Sequence, residues 1–267
     1  MMNMTDTVKQ LLIINILCYV GAFIVPQSYD LLSLYYFESD KFHFWQPITY
    51  MFMHSKNSLM HIFFNMFALV SFGSALEHFW GAKKFLFFYF SCGLGAALIH
   101  SGVDYYEIHA LLNQLQNTTI STADIHTILN TNFDDGNQFQ GKLLYENAQV
   151  IFDRLNLSAE DFRILFDAAI KNQASAVGAS GAIYGLLVAF AFMFPNAELM
   201  MMFIPVPVKA KYFVPVIVML DLFSGVTGFS LFGSNIAHFA HLGGALIGFI
   251  MMWYWKKNQF NKNRWDR

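Results

Sequence analysis

Residues 177–195 read VGASGAIYGLLVAFAFMFP, a run without a charge in which Ser180 and Tyr184 carry the only hydroxyls. A helix needs about 20 such residues to cross roughly 30 Å of hydrocarbon. Gly178-Ala179-Ser180-Gly181 superficially suggests the Gly-x-Ser-x-Gly turn on which soluble α/β hydrolases mount a nucleophile. That turn needs a strand before it and a glycine in fifth place, whereas Ala182 stands there and the run continues as helix to Pro195. The serine therefore belongs to a membrane helix. A lone serine in such a helix ordinarily bonds back to the preceding turn, so a chemical role for Ser180 requires partners from other segments.

The rest of the chain sustains the membrane reading. Of 267 residues, 56% are hydrophobic and 13% charged, and 30 are phenylalanine; a soluble domain has about 25% charged residues. Apolar runs of spanning length occur at roughly 8–26, 58–78, 84–103, 177–195, 211–229 and 236–256. The first run is not a secretory signal, because Gly21 to Asp30 offers no small-x-small cleavage pattern and no mature-domain composition follows. The expected fold is an all-α polytopic membrane protein of six spans, with a small helical insertion outside the membrane between the third and fourth. Its expected divisions are 1–103 for the first three spans, 104–173 for the insertion, 174–257 for the last three spans and 258–267 for a basic tail.

Lysine and arginine set the orientation. Lys9, Lys83, Lys84, Lys209, Lys211, Lys256, Lys257, Lys262, Arg264 and Arg267 fall on one side, whereas outside the insertion the other links carry Lys41 and Lys56 alone. Both termini are expected in the cytoplasm. Spans two, four and six then run inward from the outer surface. His61, Ser180 and His241 each lie within the first turn or two of one of them, which at about 1.5 Å per residue gives a shared shallow depth. His61 and Asn65 share a helix face, as do Gly181 and Gly185, and His241, Gly244 and Gly248. Small faces let membrane helices approach closely, so packing the glycines of span six onto span four brings the His241 imidazole toward the Ser180 hydroxyl. That hydroxyl is a weak nucleophile until a neighbouring base takes its proton. Because hydrocarbon penalises unpaired polar groups, the pattern points to serine hydrolysis inside a membrane.

With FMH at 52–54, LMHIFFN at 59–65, GSALEHFWG at 73–81 including Glu77 and Gly81, GASGAIYG at 178–185 and AHLGGALIG at 240–248, the chain resembles the rhomboid family of intramembrane serine proteases. The resemblance covers nearly everything outside the insertion. It implies a Ser180 nucleophile and a His241 general base acting as a dyad. It also implies an oxyanion hole of His61, Asn65 and the Ser180 backbone N–H, with Tyr184 packed beside the His241 ring. Gly178, Gly181, Gly244 and Gly248 would support this site by packing. Gly225 to Ser234 matches the position of the family's cap loop, and the fifth span is the side where a substrate helix would enter. Two features depart from the pattern: Gln46 follows Trp45 where some members have Trp-Arg, and the stretch from His54 to His61 is longer than in some members.

Other readings of these residues differ in what they require. His61 and Asn65 also fit a structural polar pair joining helices. His238, one turn before His241, reads as a structural neighbour rather than a second base. Zinc chemistry lacks an HExxH motif, and Cys18 and Cys92 stand in different spans without ligand spacing. Aspartyl chemistry needs two facing aspartates, but Asp221 is the only aspartate in a predicted span; near the outer end of that span, it is expected to be solvated or paired at the interface. Cys92 reads as a small buried apolar residue.

The insertion at 104–173 carries ten acidic and four basic residues, net −6 against +4 for the remainder, and so cannot span. Helix signals within it are Ile108, Leu111, Leu112 and Leu115, a cap at Ser121 with Asp124, a run from Leu143 to Leu155, and a cap at Ser158 with Asp161. The tripeptides beginning at Asn117 and Asn156 match glycosylation acceptors but are frequent by chance, and carry no weight. The function expected is cleavage of membrane-anchored protein substrates near the outer leaflet, among membrane lipids, without nucleic acid and without a metal, nucleotide or redox cofactor. The alternative is a catalytically silent rhomboid-like protein that binds membrane helices for quality control. A transporter would need inverted repeats, which the sequence does not display. Phe-rich, low-charge composition suggests a bacterial cytoplasmic membrane.

Overall fold

A computed structural model describes residues 4–116, 119–136, 138–201, 204–229 and 237–256. The Asn117 acceptor, the Gly225–Ser234 segment from residue 230 onward and the basic tail beyond Lys256 lie outside the described residues. The chain forms two compact units: residues 1–33, 47–100 and 177–267 make the first, and residues 34–46 and 101–176 the second.

The first unit begins with α1 (Asp6–Ile24), followed by a link holding α2 (Gln27–Leu32), α3 (Gln46–Thr49) and a 3-10 turn at Tyr50–Phe52. A second apolar helix, Leu59–Trp80, consists of α4 (Leu59–Ala68), a π-helical turn at Leu69–Gly73 and α5 (Ser74–Trp80). Next come α6 (Ala82–Leu112), which runs on into the second unit, then α11 (Ser180–Met193), α12 (Ala210–Thr227) and α13 (His238–Trp255). Among the described residues, α1, Leu59–Trp80, α6 and α12 are long and apolar enough to cross a membrane by length and composition. The other two are limited by the polar motifs they carry. At about 1.5 Å per residue, the 14 residues of α11 are shorter than the hydrocarbon, and α13 opens with His238 and His241. The outward faces suit lipid: Leu17, Ile24, Phe63, Phe67, Val216, Phe223, Phe249 and Ile250 are all exposed, large apolar surfaces that water would penalise. This is a multi-pass, all-α membrane protein.

One buried carboxylate of this unit joins two helices. The Glu77 carboxylate on α5 accepts the backbone N–H groups of Thr7 and Val8 at 3.1 and 3.0 Å and the Thr5 hydroxyl at 2.5 Å. These donors sit at the start of α1, where helix N–H groups lack partners of their own. A charge from a different helix therefore caps α1 and interacts favourably with its dipole.

The second unit has the core of a water-soluble domain. Tyr36, Ile108, Ile128, Phe133, Leu144, Phe152 and Leu165 are buried together, drawn from α6, α7 (Thr122–Asn130), α8 (Gly141–Asn147), α9 (Gln149–Leu155) and α10 (Ala159–Gln173). Ser121 and Asp124 form a reciprocal capping box on α7, and Ser158 caps α10 through the N–H of Asp161. The Ser121 hydroxyl, and then Arg154, hold the Asp124 carboxyl below its usual range against a smaller opposing effect of desolvation.

Three local expectations are corrected. The helix of the third span does not end near residue 103. Ile108 is buried in the second unit's core and Leu111 and Leu112 pack against it, so α6 continues to Leu112. The Leu143–Leu155 run is broken at Ala148 (φ −112°, ψ 19°) into α8 and α9. The link after α11 holds an unanticipated hairpin, β1 (Glu198–Met201) against β2 (Ile204–Lys209), with Glu198 opposite Lys209. Pro205 and Pro207 cannot donate to a ladder, which a two-stranded ribbon with two open edges tolerates.

Candidate active site

Ser180 is the first residue of α11, so its backbone N–H has no acceptor within the helix. The approach to it is set by Gly178, whose φ of +126° is closed to ordinary side chains. The Gly178 N–H is fixed by the Tyr50 carbonyl at 2.9 Å, and the Tyr50 hydroxyl by the Gly93 carbonyl at 2.8 Å. A Cβ on Gly178 would stand 3.0 Å from His61 Nε2 and 3.5 Å from Ser180 Oγ, so this glycine is where the serine and the α4 imidazole converge.

The seam between α11 and α13 fixes the other partner. A Cβ on Gly244 would overlap the Gly181 carbonyl, and one on Gly248 would stand 2.7 Å from the Gly185 Cα. Main chain meets main chain on the two faces that the sequence marks as small. At the N-terminal end of both helices His241 Nε2 lies 2.8 Å from Ser180 Oγ, and Tyr184 stacks on the imidazole at 4.3 Å with an interplanar angle of 11°. Behind α11, a Cβ on Gly185 would overlap Cys92, which is buried and free.

On α4, His61 Nδ1 accepts the Ser55 N–H at 3.2 Å. An imidazole that accepts at Nδ1 while neutral carries its proton on Nε2, which turns a donor toward Gly178 and Ser180. Asn65 is 6% exposed, and its amide nitrogen donates one hydrogen to the His61 carbonyl at 2.7 Å. A second amide hydrogen remains for another acceptor.

Asp221 is where the structure differs most from the sequence reading. It is not solvated but buried and paired: it is 7% exposed on α12 and accepts from the Tyr184 hydroxyl, from His238 Nδ1, and from His241 Nδ1 at 3.3 Å to each carboxylate oxygen. No sequence spacing announces this pairing, because its members come from three helices. His238, read as a neighbour, is a partner of that carboxylate.

The Rhomboid domain profile matches residues 41–110 and 156–258, more than half of the chain and all of the residues just described. Rhomboid protein 1, mitochondrial, of Saccharomyces cerevisiae is 33% identical over 81 residues, which is 30% of this chain and 22% of that protein. The chain thus matches about a fifth of the length of this relative. The extent of the profile match, over the segments that carry Ser180, His241, His61 and Asn65, makes this chain a member of the rhomboid family.

Proposed function

We propose that the chain is an intramembrane serine endopeptidase that cleaves transmembrane protein substrates near the outer leaflet. The observation that carries the reading is the 2.8 Å approach of His241 Nε2 to Ser180 Oγ beside a seam where backbone meets backbone at Gly181/Gly244 and Gly185/Gly248. In the proposed reaction His241 takes the hydroxyl proton as Ser180 Oγ attacks the scissile carbonyl. The developing oxyanion accepts from the Ser180 N–H, His61 Nε2–H and the free amide hydrogen of Asn65. His241 then gives the proton to the leaving amine, and water hydrolyses the acyl-enzyme by the same steps in reverse order. No metal, nucleotide or redox group enters this scheme. With both termini taken as cytoplasmic, as the basic residues imply, the shortness of α11 supports a Ser180 lying below the outer surface.

Family membership equally accommodates a silent rhomboid-like protein that holds membrane helices without cutting them. A fluorophosphonate probe separates the two: the purified protein should be labelled at Ser180, and Ser180→Ala and His241→Ala should each abolish cleavage of a membrane-anchored substrate while remaining folded. Cleavage by Ser180→Ala would overturn the serine mechanism, and an unlabelled, inactive wild type would leave the silent reading. The yeast relative is named as mitochondrial, which gives no support to the bacterial cytoplasmic membrane expected from composition; the proposal specifies a lipid bilayer.

A further inference from the structure

The proposed dyad leaves a buried carboxylate behind the base unexplained. Asp221 receives three donors: the Tyr184 hydroxyl on α11, His238 Nδ1 and His241 Nδ1, the last at 3.3 Å from both oxygens. An ionised carboxylate is an acceptor only, so both imidazoles meet it with Nδ1–H. For His241 that tautomer leaves the lone pair on Nε2, the nitrogen 2.8 Å from Ser180 Oγ. A base in the opposite tautomer would present N–H to the serine and could not take its proton.

We infer that Asp221 is the positioning residue of the proposed reaction, extending the pair into a Ser180–His241–Asp221 relay whose carboxylate holds the reactive tautomer and stabilises the imidazolium formed during attack. This rests on the serine-protease reading above. The carboxylate itself transfers no proton; its role is orientation and charge, as for the aspartate of soluble serine-protease triads. Unlike the acid of an isolated triad, it is shared with His238, which competes for Oδ1. A divalent cation among the same three groups fits less well. Both Asp221 oxygens already accept from Tyr184, His238 and His241, and the remaining His241 nitrogen faces Ser180 Oγ.

The groups facing His241 are Asp221 from α12, His238 from its own helix, Tyr184 and Ser180 from α11, and His61 from α4, near enough to interact with it electrostatically. The test measures kcat, KM and the rate of fluorophosphonate labelling against pH for purified wild type, Asp221→Asn, Asp221→Glu and His238→Ala in one detergent. Asp221→Asn keeps the shape of the side chain. It should lower kcat by on the order of 10²- to 10³-fold with KM within about threefold, move the acid limb of kcat/KM to lower pH because the imidazolium loses its counter-ion, and be partly rescued by Asp221→Glu. His238→Ala frees the carboxylate for His241 and should move the same limb to higher pH. A folded Asp221→Asn with wild-type kcat and an unmoved acid limb would overturn the inference while leaving the serine mechanism intact. Should Asp221→Asn fail to fold, an unmoved limb in His238→Ala overturns it as well. A wild type that the probe does not label at Ser180 overturns both readings.

Discussion

Asn65 reaches back to the His61 carbonyl with one amide hydrogen, and its Oδ1 is buried without a partner among the described residues. An amide held this way cannot turn without losing its remaining bond, so its second hydrogen is aimed before any substrate arrives. Preorganised donors of this type are worth about 10²- to 10³-fold in kcat. Asn65→Ala should therefore lower turnover by on the order of 10²-fold with little change in KM, measured on a fluorogenic membrane substrate; a wild-type kcat would return Asn65 to a structural pair with His61. The contrast with Asp221 shows how far the site was legible in the sequence. Ser180, His241, His61 and Asn65 each announce themselves by a local motif with a face and a depth. Asp221 has no such motif, because its bonds to Tyr184, His238 and His241 arise only when α11, α12 and α13 are packed.

At the scale of elements, the number of helices could be read from hydropathy, but their ends could not. The residues that extend α6 beyond the membrane are apolar for a second core rather than for lipid, and the π-helical turn at Leu69–Gly73 leaves no trace in composition. The glycine periodicity of α11 and α13 was legible, and the structure adds how little room the seam leaves. Since even a methyl group on Gly244 would overlap the Gly181 carbonyl, Gly244→Ala alone should push the helices apart. Displacement of about 1 Å can cost around 10²-fold in rate, so activity and thermal stability should fall together. Gly21→Ala is the control, because a Cβ there meets nothing within 4 Å; equal behaviour of the two variants would show that the seam does not set the distance between Ser180 and His241. Glu77 is tested by stability alone. Replacing it with alanine strands three donors at the start of α1, and hydrogen bonds to a charged group are worth about 1.5–3 kcal/mol. A clear drop in melting temperature in detergent is expected, and an unchanged one would mean that α1 needs no cap from α5.

For the whole molecule, the chain divides into two units, and the second has a core of its own. The polar composition of residues 104–173 makes that division visible in the sequence. What it could not reveal is that residues 34–46 cluster with the insertion, with Tyr36 buried in its core, since nothing local in that link distinguishes a loop over the bundle from a strap on another domain. Phe133 is fully buried in the second core, and truncating such a residue typically costs about 3–5 kcal/mol. Phe133→Ala should expose residues 104–173 to limited proteolysis while fluorophosphonate still labels Ser180 at the wild-type rate. Parallel loss of labelling would show that the second core is needed to hold Ser180 in its reactive setting.

The glycine seam has a thermal consequence as well as a steric one. Ordering a long side chain costs up to about 2 kcal/mol of rotamer entropy, and glycine has none to lose. Docking α13 onto α11 along Gly181, Gly185, Gly244 and Gly248 therefore freezes no χ angles at its closest points, which matters where lipid supplies no hydrophobic drive for helices to associate. Warming cannot loosen such a contact by rotamer hopping, so the spacing of the two backbones that carry Ser180 and His241 does not depend on side-chain rotamers at the seam's closest points.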